Sequence, residues 1–198
     1  YGAMVAIYLR AFGEGDEAVS PEHFARALDA YRLQATRYHV WTFSDLPGGP
    51  AAGMTTFYAM PRLAFLGYLV LEDPLRGRGL ARVALKRIEA QLIHDHADIR
   101  WLYLECAPGS PQQQVFRALG FRKIDVEYHQ PPLCDDADRM TRVGPAMALM
   151  CKKIGDAPIQ KIPEDDETRD HVAQILCTVY GLTNPAQSIC YLLMFKDN

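Results

Sequence analysis

The chain of 198 residues, 49% of them apolar, predicts an α/β fold of the α+β kind: a mixed central sheet with an antiparallel meander, flanking helices and a C-terminal helical extension. Three observations predict it. Three strand-like runs, 38–44, 52–59 and 63–71, follow one another across the short turns 45–50 and 60–62, which are rich in Pro and Gly, as in a meander. The third run then leads through a helix-patterned stretch, 81–96, to a further apolar run, 101–106, and that order implies a parallel pair joined by a right-handed crossover. From residue 156 onward the pattern is helical. A chain of this length and apolar content buries one good core, so one domain with an appendage is expected rather than two equal domains.

Residues 6–12 form a short opening element that reads as the end of a helix. Ser20-Pro21-Glu22 supplies an N-cap and a proline at the first helical position, and Phe24, Ala27, Leu28 and Tyr31 recur at helical spacing, which predicts a helix over 21–33. The run 63–71 is nearly all apolar, as a strand covered on both faces should be. Ala81, Ala84, Leu85, Ile88 and Leu92 line one face of the next helix, with Arg82, Lys86, Arg87 and Gln91 on the others. Ser110-Pro111-Gln112-Gln113 carries the cap, the proline and the capping-box glutamine of a helix of about ten residues ending near Gly120. Runs 121–128 and 146–152 read as strands joined by an acidic, proline-containing loop, 131–144. Residues 165–180 read as a helix closed by Gly181, and Asn184-Pro185-Ala186-Gln187 as the cap of a last helix reaching about residue 195.

Charge is nearly balanced, with 21 basic and 24 acidic residues besides six histidines. That removes any general electrostatic case for nucleic acid, although a local basic patch at Arg76, Arg78, Arg82, Lys86 and Arg87 suits a small polyanion. No apolar run approaches the roughly 18 to 20 residues that span a bilayer, and no signal-peptide pattern opens the chain, so a soluble protein away from membranes is expected. Tyr1-Gly2-Ala3 reads as a remnant ahead of a start at Met4. The cysteines, 106, 134, 151, 177 and 190, are odd in number and never in a CxxC pair. This argues against a disulfide framework or a zinc site and fits a cytoplasmic, reducing setting.

The chemistry-bearing segment is Arg76-Gly77-Arg78-Gly79-Leu80-Ala81, between strand and helix. Two glycines let bare backbone approach a ligand, and the first helical turn presents N–H groups at the positive end of the dipole, so a phosphate is the natural guest. A Walker loop needs GxxxxGK[ST], which is absent. A dinucleotide fingerprint needs Gly or Ala where Arg82 stands, and the strand before it belongs to a meander. His94-Asp95-His96 reads as a solvated helix end, because i,i+2 residues diverge on a helix. Asp135, Asp136 and Asp138 read as a solvated acidic turn, and no metal is expected.

What the segment does fit is Arg-x-x-Gly-x-Ala, met by Arg76, Gly79 and Ala81, which resembles the acetyl-CoA loop of the GCN5-related N-acetyltransferases (GNAT). The approach from Tyr68 through Glu72-Asp73-Pro74 to Arg76 resembles that family's fourth strand and its lead-in. Leu102-Tyr103-Leu104-Glu105-Cys106 resembles its fifth strand, and Val115-Phe116-Arg117-Ala118-Leu119-Gly120-Phe121 the helix ahead of its sixth. Four signatures in order cover residues 37–152. The resemblance implies the GNAT acyltransferase fold, with a catalytic domain over 1–154 and a helical extension over 155–198 packing on it.

It further implies that acetyl-CoA is the cosubstrate. Arg76, Gly77, Arg78, Gly79, Leu80 and Ala81 would take the pyrophosphate and Leu69, Val70 and Leu71 the pantetheine. The amides at Val70 and Leu71, Leu71 above all, would stabilise the thioester oxyanion. Residues 69–71 and 104–106 would flank the reacting centre, with Gln114 and Phe116 on the cofactor side of their helix. The acceptor is an amine of a small molecule or peptide, which must lose a proton before attack. Glu105 matches the family's general base; a structural ion pair is the competing role, and Glu72 and Glu127 are lesser candidates.

Many members carry a Tyr where this chain has Phe116, so the usual acid is missing; Tyr128, Tyr103 and Cys106 are the substitutes at hand. Direct transfer is expected, since no Cys-His or Ser-His arrangement for a covalent intermediate is evident. The alternatives are a different acyl group and a CoA-binding sensor or structural module that has lost catalysis. Loops 13–20 and 131–144 would wall the acceptor site, and a homodimer is left open.

Overall fold

The computed structural model describes residues 1–13, 19–32, 34–133, 137–155 and 162–196. Six strands form one mixed sheet in the order β1-β2-β3-β4-β6-β5: β1 is Arg37–Phe43, β2 Gly53–Met60, β3 Leu63–Leu71, β4 Trp101–Cys106, β5 Arg122–Lys123 and β6 Ala148–Lys153. The helices are α1 Gly2–Phe12, α2 Pro21–Ala30, α3 Leu80–Asp95, α4 Pro111–Ala118, α5 Asp165–Thr178 and α6 Ile189–Met194. The chain divides into two compact units, Tyr1–Leu102 and Tyr103–Asn198. The expected fold class is the one observed. Leu33, placed at the end of the second helix by its spacing, lies outside the described residues.

In the first unit β1, β2 and β3 form the meander, both pairs antiparallel. Every residue of β2 is buried, which requires cover on both faces. On one face Tyr58 meets Tyr38 of β1 at 4.4 Å and Tyr31, which follows α2, at 5.7 Å. Tyr8 of α1 packs edge-on against Phe24 of α2 and Tyr68 of β3, at 4.9 and 5.1 Å. On the other face Phe57 stacks on His39 at 4.6 Å, whose Nε2 lies 2.6 Å from Asp95 Oδ2 at the end of α3. The buried stripe of α3 is Ala84, Leu85, Ile88 and Leu92, the helical spacing read from sequence.

In the second unit β5 and β6 pair antiparallel, and pairing stops after two residues where a strand over 121–128 was expected. Ile124 N–H still reaches the Leu149 carbonyl and the Met147 N–H reaches the Tyr128 carbonyl, each at 2.9 Å. Five residues, 124–128, therefore span three, 147–149, and the two-residue excess, with Asp125 and Glu127 exposed, bulges out. The capping box of α4 forms as expected: Ser110 Oγ accepts from the Gln113 N–H at 3.2 Å and Gln113 Oε1 from the Gly109 N–H at 3.1 Å. The single last helix expected from Asn184 is two elements, a 3-10 turn over Pro185–Gln187 and α6. Ser188 breaks it, since its extended backbone and an Oγ accepting the Tyr191 N–H at 3.3 Å restart the helix.

Candidate active site

In the first unit β3 ends at Leu71, a 3-10 turn over Asp73–Leu75 anchors the chain through the buried Leu75, and α3 begins at Leu80. Between them Gly77 has φ 72° and Gly79 has φ 75°, the left-handed region that costs other residues roughly 1–2 kcal/mol. A Cβ on either would meet nothing within 4 Å, so conformation, not crowding, requires glycine, and the main chain there is open. Arg82 and Val83 donate to the Gly79 carbonyl at 3.0 and 3.3 Å. The Leu80 and Ala81 amides thus precede the helical ladder, at the positive end of the dipole.

Arg76 clamps the loop, with Nε donating to the Leu71 carbonyl at 2.8 Å and Nη1 lying 2.6 Å from Asp73 Oδ1. Arg78 is more loosely held, 3.9 Å from Asp45. Open main chain, a helix N-terminus and two exposed guanidinium groups fit a pyrophosphate.

The β3 backbone adds direction. The Glu72 amide donates to the Ala52 carbonyl of the preceding strand segment at 2.9 Å. By antiparallel alternation the main-chain groups of Leu69 and Leu71 turn away from β2, while Val70, opposite Met54, turns toward it. Of the two amides expected to serve an oxyanion, Leu71 is the outward one. A bulge resets this register: Thr56 pairs with Tyr68 but Phe57 with Leu66, leaving Gly67 over, and a Cβ there would meet Thr56 Oγ1 at 2.8 Å. A lone glycine inside a strand pattern is the signal that finds this feature, and the apolar reading of 63–71 passed over it.

In the second unit Glu105 sits half-buried on β4. Tyr128 donates a hydrogen bond to its Oε1, and the hydroxyl of Tyr180 lies 2.7 Å from Oε1 and 2.8 Å from Oε2. Burial pushes the carboxyl up to about 7, against the two hydroxyls, which pull it down. Burial and the Glu105 charge raise Tyr128 well above the ordinary tyrosine range, so its hydroxyl is a hydrogen-bond donor to the carboxylate. Sequence reasoning missed Tyr180, because it lies beyond the segments that carry motifs.

The remaining candidates are placed as follows. Gln114 is exposed and Phe116 partly so, its ring edge-on to Phe121 at 5.6 Å. Tyr103 is buried with its hydroxyl 2.8 Å from His171 Nδ1 of α5, and burial raises its pKa. Cys106 is buried against Met150, sulfur to sulfur 3.6 Å, and burial raises its thiol too. Glu72 is paired with Arg10 of α1, and Glu127 is exposed, 3.4 Å from His129.

At His94-Asp95-His96 the solvated reading holds for His94, whose side chain is 83% exposed, and fails at Asp95. The Asp95 side chain is only 9% exposed, held by His39 and by Gln91 Nε2 at 2.8 Å. The His96 ring lies 2.6 Å from the Ala35 carbonyl. Residues 14–18, Cys134, Asp135 and Asp136 lie outside the described residues, as does the Asp138 side chain, so the two expected acceptor walls are described only in part. Among the described residues no cluster of His, Cys, Asp and Glu is placed to hold a metal, and no helix is long and apolar enough to cross a membrane.

The mixed sheet with its flanking helices defines an α/β fold of the acetyltransferase type. Residues 3–121 match the model of the acetyltransferase (GNAT) family, and the chain belongs to that family. No curated protein matches it in sequence.

Among solved structures, a protein described as a GNAT-family acetyltransferase from Bacteroides thetaiotaomicron is 20% identical with a TM-score of 0.65, covering 92% of this chain and 93% of the neighbour. The ribosomal-protein-S18-alanine N-acetyltransferase from Escherichia coli is 19% identical with a TM-score of 0.54, covering 82% and 92%. Ard1 from Thermoplasma volcanium is 11% identical at the same TM-score, covering 78% and 93%. At these identities the likeness speaks to the fold.

Proposed function

We infer that the protein is an N-acetyltransferase that moves the acetyl group of acetyl-CoA directly to a primary amine of a small molecule or peptide. The observation that carries this is Glu105, a carboxyl group held by two tyrosine hydroxyls and raised to about 7, where a general base works best near neutral pH. Acetyl-CoA, when bound, supplies an acetyl group already activated as a thioester. The amides of Gly77 to Ala81 hold its pyrophosphate, with Arg78 adding charge and Arg76 keeping the loop in shape. Leu69 and Leu71, whose main-chain groups turn away from β2, hold the pantetheine, and the outward amide of Leu71 stabilises the carbonyl oxygen as charge develops on it. Gln114 and Phe116 line the same arm. Glu105 takes the proton that the amine must give up. Phe116 donates no proton to the departing sulfur, which the chemistry tolerates because a thiol with pKa near 8.5 leaves readily as thiolate.

Thermal melting with acetyl-CoA, CoA and ATP tests the ligand. Either CoA species at about a hundred times Kd should stabilise the protein by roughly 2.7 kcal/mol, and ATP should not. Absence of a shift with both CoA species would sink the reading. Release of free thiol from acetyl-CoA across a panel of amines then distinguishes a transferase from a module that only binds CoA.

A further inference from the structure

Tyr180 is fixed more firmly than a loop residue needs to be. It follows α5, whose last turn is closed by Val179 N–H to Ile175 at 2.8 Å and Leu182 N–H to Leu176 at 3.1 Å. Arg139 donates to the Tyr180 carbonyl at 3.0 Å and, through its other nitrogen, to the Leu133 carbonyl at 3.3 Å. The residue is 6% exposed. Its hydroxyl stands almost equidistant from the two oxygens of Glu105, which holds the plane of the carboxylate. Gln130 Nε2 donates to the same hydroxyl at 3.3 Å, so the tyrosine's own proton is committed to Glu105. An ionised Glu105 is fully met by this arrangement. A protonated one is a poorer acceptor than a carboxylate, so both tyrosine hydrogen bonds would weaken.

We propose that Tyr180 is a positioning residue for Glu105, its hydroxyl fixing the carboxylate plane and favouring the proton-accepting form, which makes the segment after α5 part of the acetyl-transfer site. The proposal rests on Glu105 being the base of that transfer. Among the described residues, the groups that face the Glu105 charge include Tyr128, Tyr180, Cys106 and Cys190 of α6. Burial raises both thiols, Cys190 to about 11, so they stay neutral near pH 7. Of these groups, the two hydroxyls are the ones that donate to the carboxyl.

The test is a carboxyl-carbon NMR titration of the intact protein labelled at glutamate, with the Glu105 signal assigned by its loss in Glu105→Gln. Tyr180→Phe removes a hydrogen bond to a charged acceptor, so the Glu105 midpoint should rise by about one unit. The acidic limb of the kcat/KM profile for thiol release should move with it. An unmoved midpoint overturns the proposal.

Should the Phe variant fail to fold, fluorotyrosine at 180 keeps the ring and strengthens the donor. It should move the midpoint downward, and no movement there also overturns the proposal. A moved midpoint with no thiol release from the unmodified protein would support the hold of Tyr180 on Glu105 and sink acetyl transfer, so the two failures are told apart.

Discussion

Glu105 ties the proposed chemistry to stability, because the burial that raises its carboxyl also disfavours its ionised form in the fold. Unfolded, the carboxyl titrates near 4.5; folded, near 7. The folded state therefore holds this proton more tightly. The contribution of Glu105 to stability is complete below about pH 4.5 and is lost as pH rises through 7. At about 1.36 kcal/mol per unit the full shift would be worth roughly 3 kcal/mol, and access of solvent to part of the side chain reduces this to on the order of 2. Glu105→Gln removes that dependence. Between pH 5 and pH 8 the variant should gain about 4–8 °C in melting temperature relative to the unmodified protein. The same substitution should lower kcat/KM about a hundredfold near pH 7, with recovery at alkaline pH where the acceptor amine is already deprotonated. A melting difference that is flat with pH would remove the buried-base account, and an unchanged rate profile would remove Glu105 from the reaction.

The glycine loop is an element whose shape and ligand can be tested separately. Gly79→Ala places a Cβ in open space and meets only the left-handed backbone, so it should cost about 1 kcal/mol in chemical denaturation. The stabilisation by CoA should fall by more than that, since the loop amides lose their geometry. An intact CoA-induced melting shift in a folded Gly79→Ala protein would move the pyrophosphate elsewhere. This loop was legible because its signal is local: two glycines at a strand–helix junction. The meander, α3 and the α4 capping box were legible for the same reason, as periodicity and capping act over a few residues. The β5 break was not, because Arg122 to Tyr128 alternates well enough for a strand and only its pairing with β6 exposes the two-residue excess. Asp95 reads as a surface helix end until β1 brings His39 to it, 56 residues away. Tyr180 is the same case at the candidate site, 75 residues from Glu105 with no motif around it.

At the scale of the whole molecule, the family match ends at residue 121, yet the second unit runs from Tyr103 to Asn198. Within it, β6 stands between β4 and β5 in the sheet, and α5 buries Thr168, His171, Val172, Ile175 and Leu176. Tyr103 and Glu105, two apart on one face of β4, reach His171 of α5 and Tyr180 just beyond it. The C-terminal segment therefore covers the face of β4 that carries Tyr103 and Glu105. Burial of Val172, Ile175 and Leu176 alone is worth roughly 1.5–3 kcal/mol each, together about 5–9, against about 5–15 for the stability of a whole domain. The buried Tyr103–His171 hydrogen bond would be lost besides, leaving a buried hydroxyl without its partner. A chain ending at residue 155 should thus lose its fixed tertiary packing while keeping much of its helix and strand content. Near-ultraviolet circular dichroism should collapse, a hydrophobic dye should bind, and CoA should give no melting shift. If the shortened chain instead melts cooperatively within a few degrees of the full one and still responds to CoA, the segment beyond β6 is an appendage, and the β4 face it covers is stable without it.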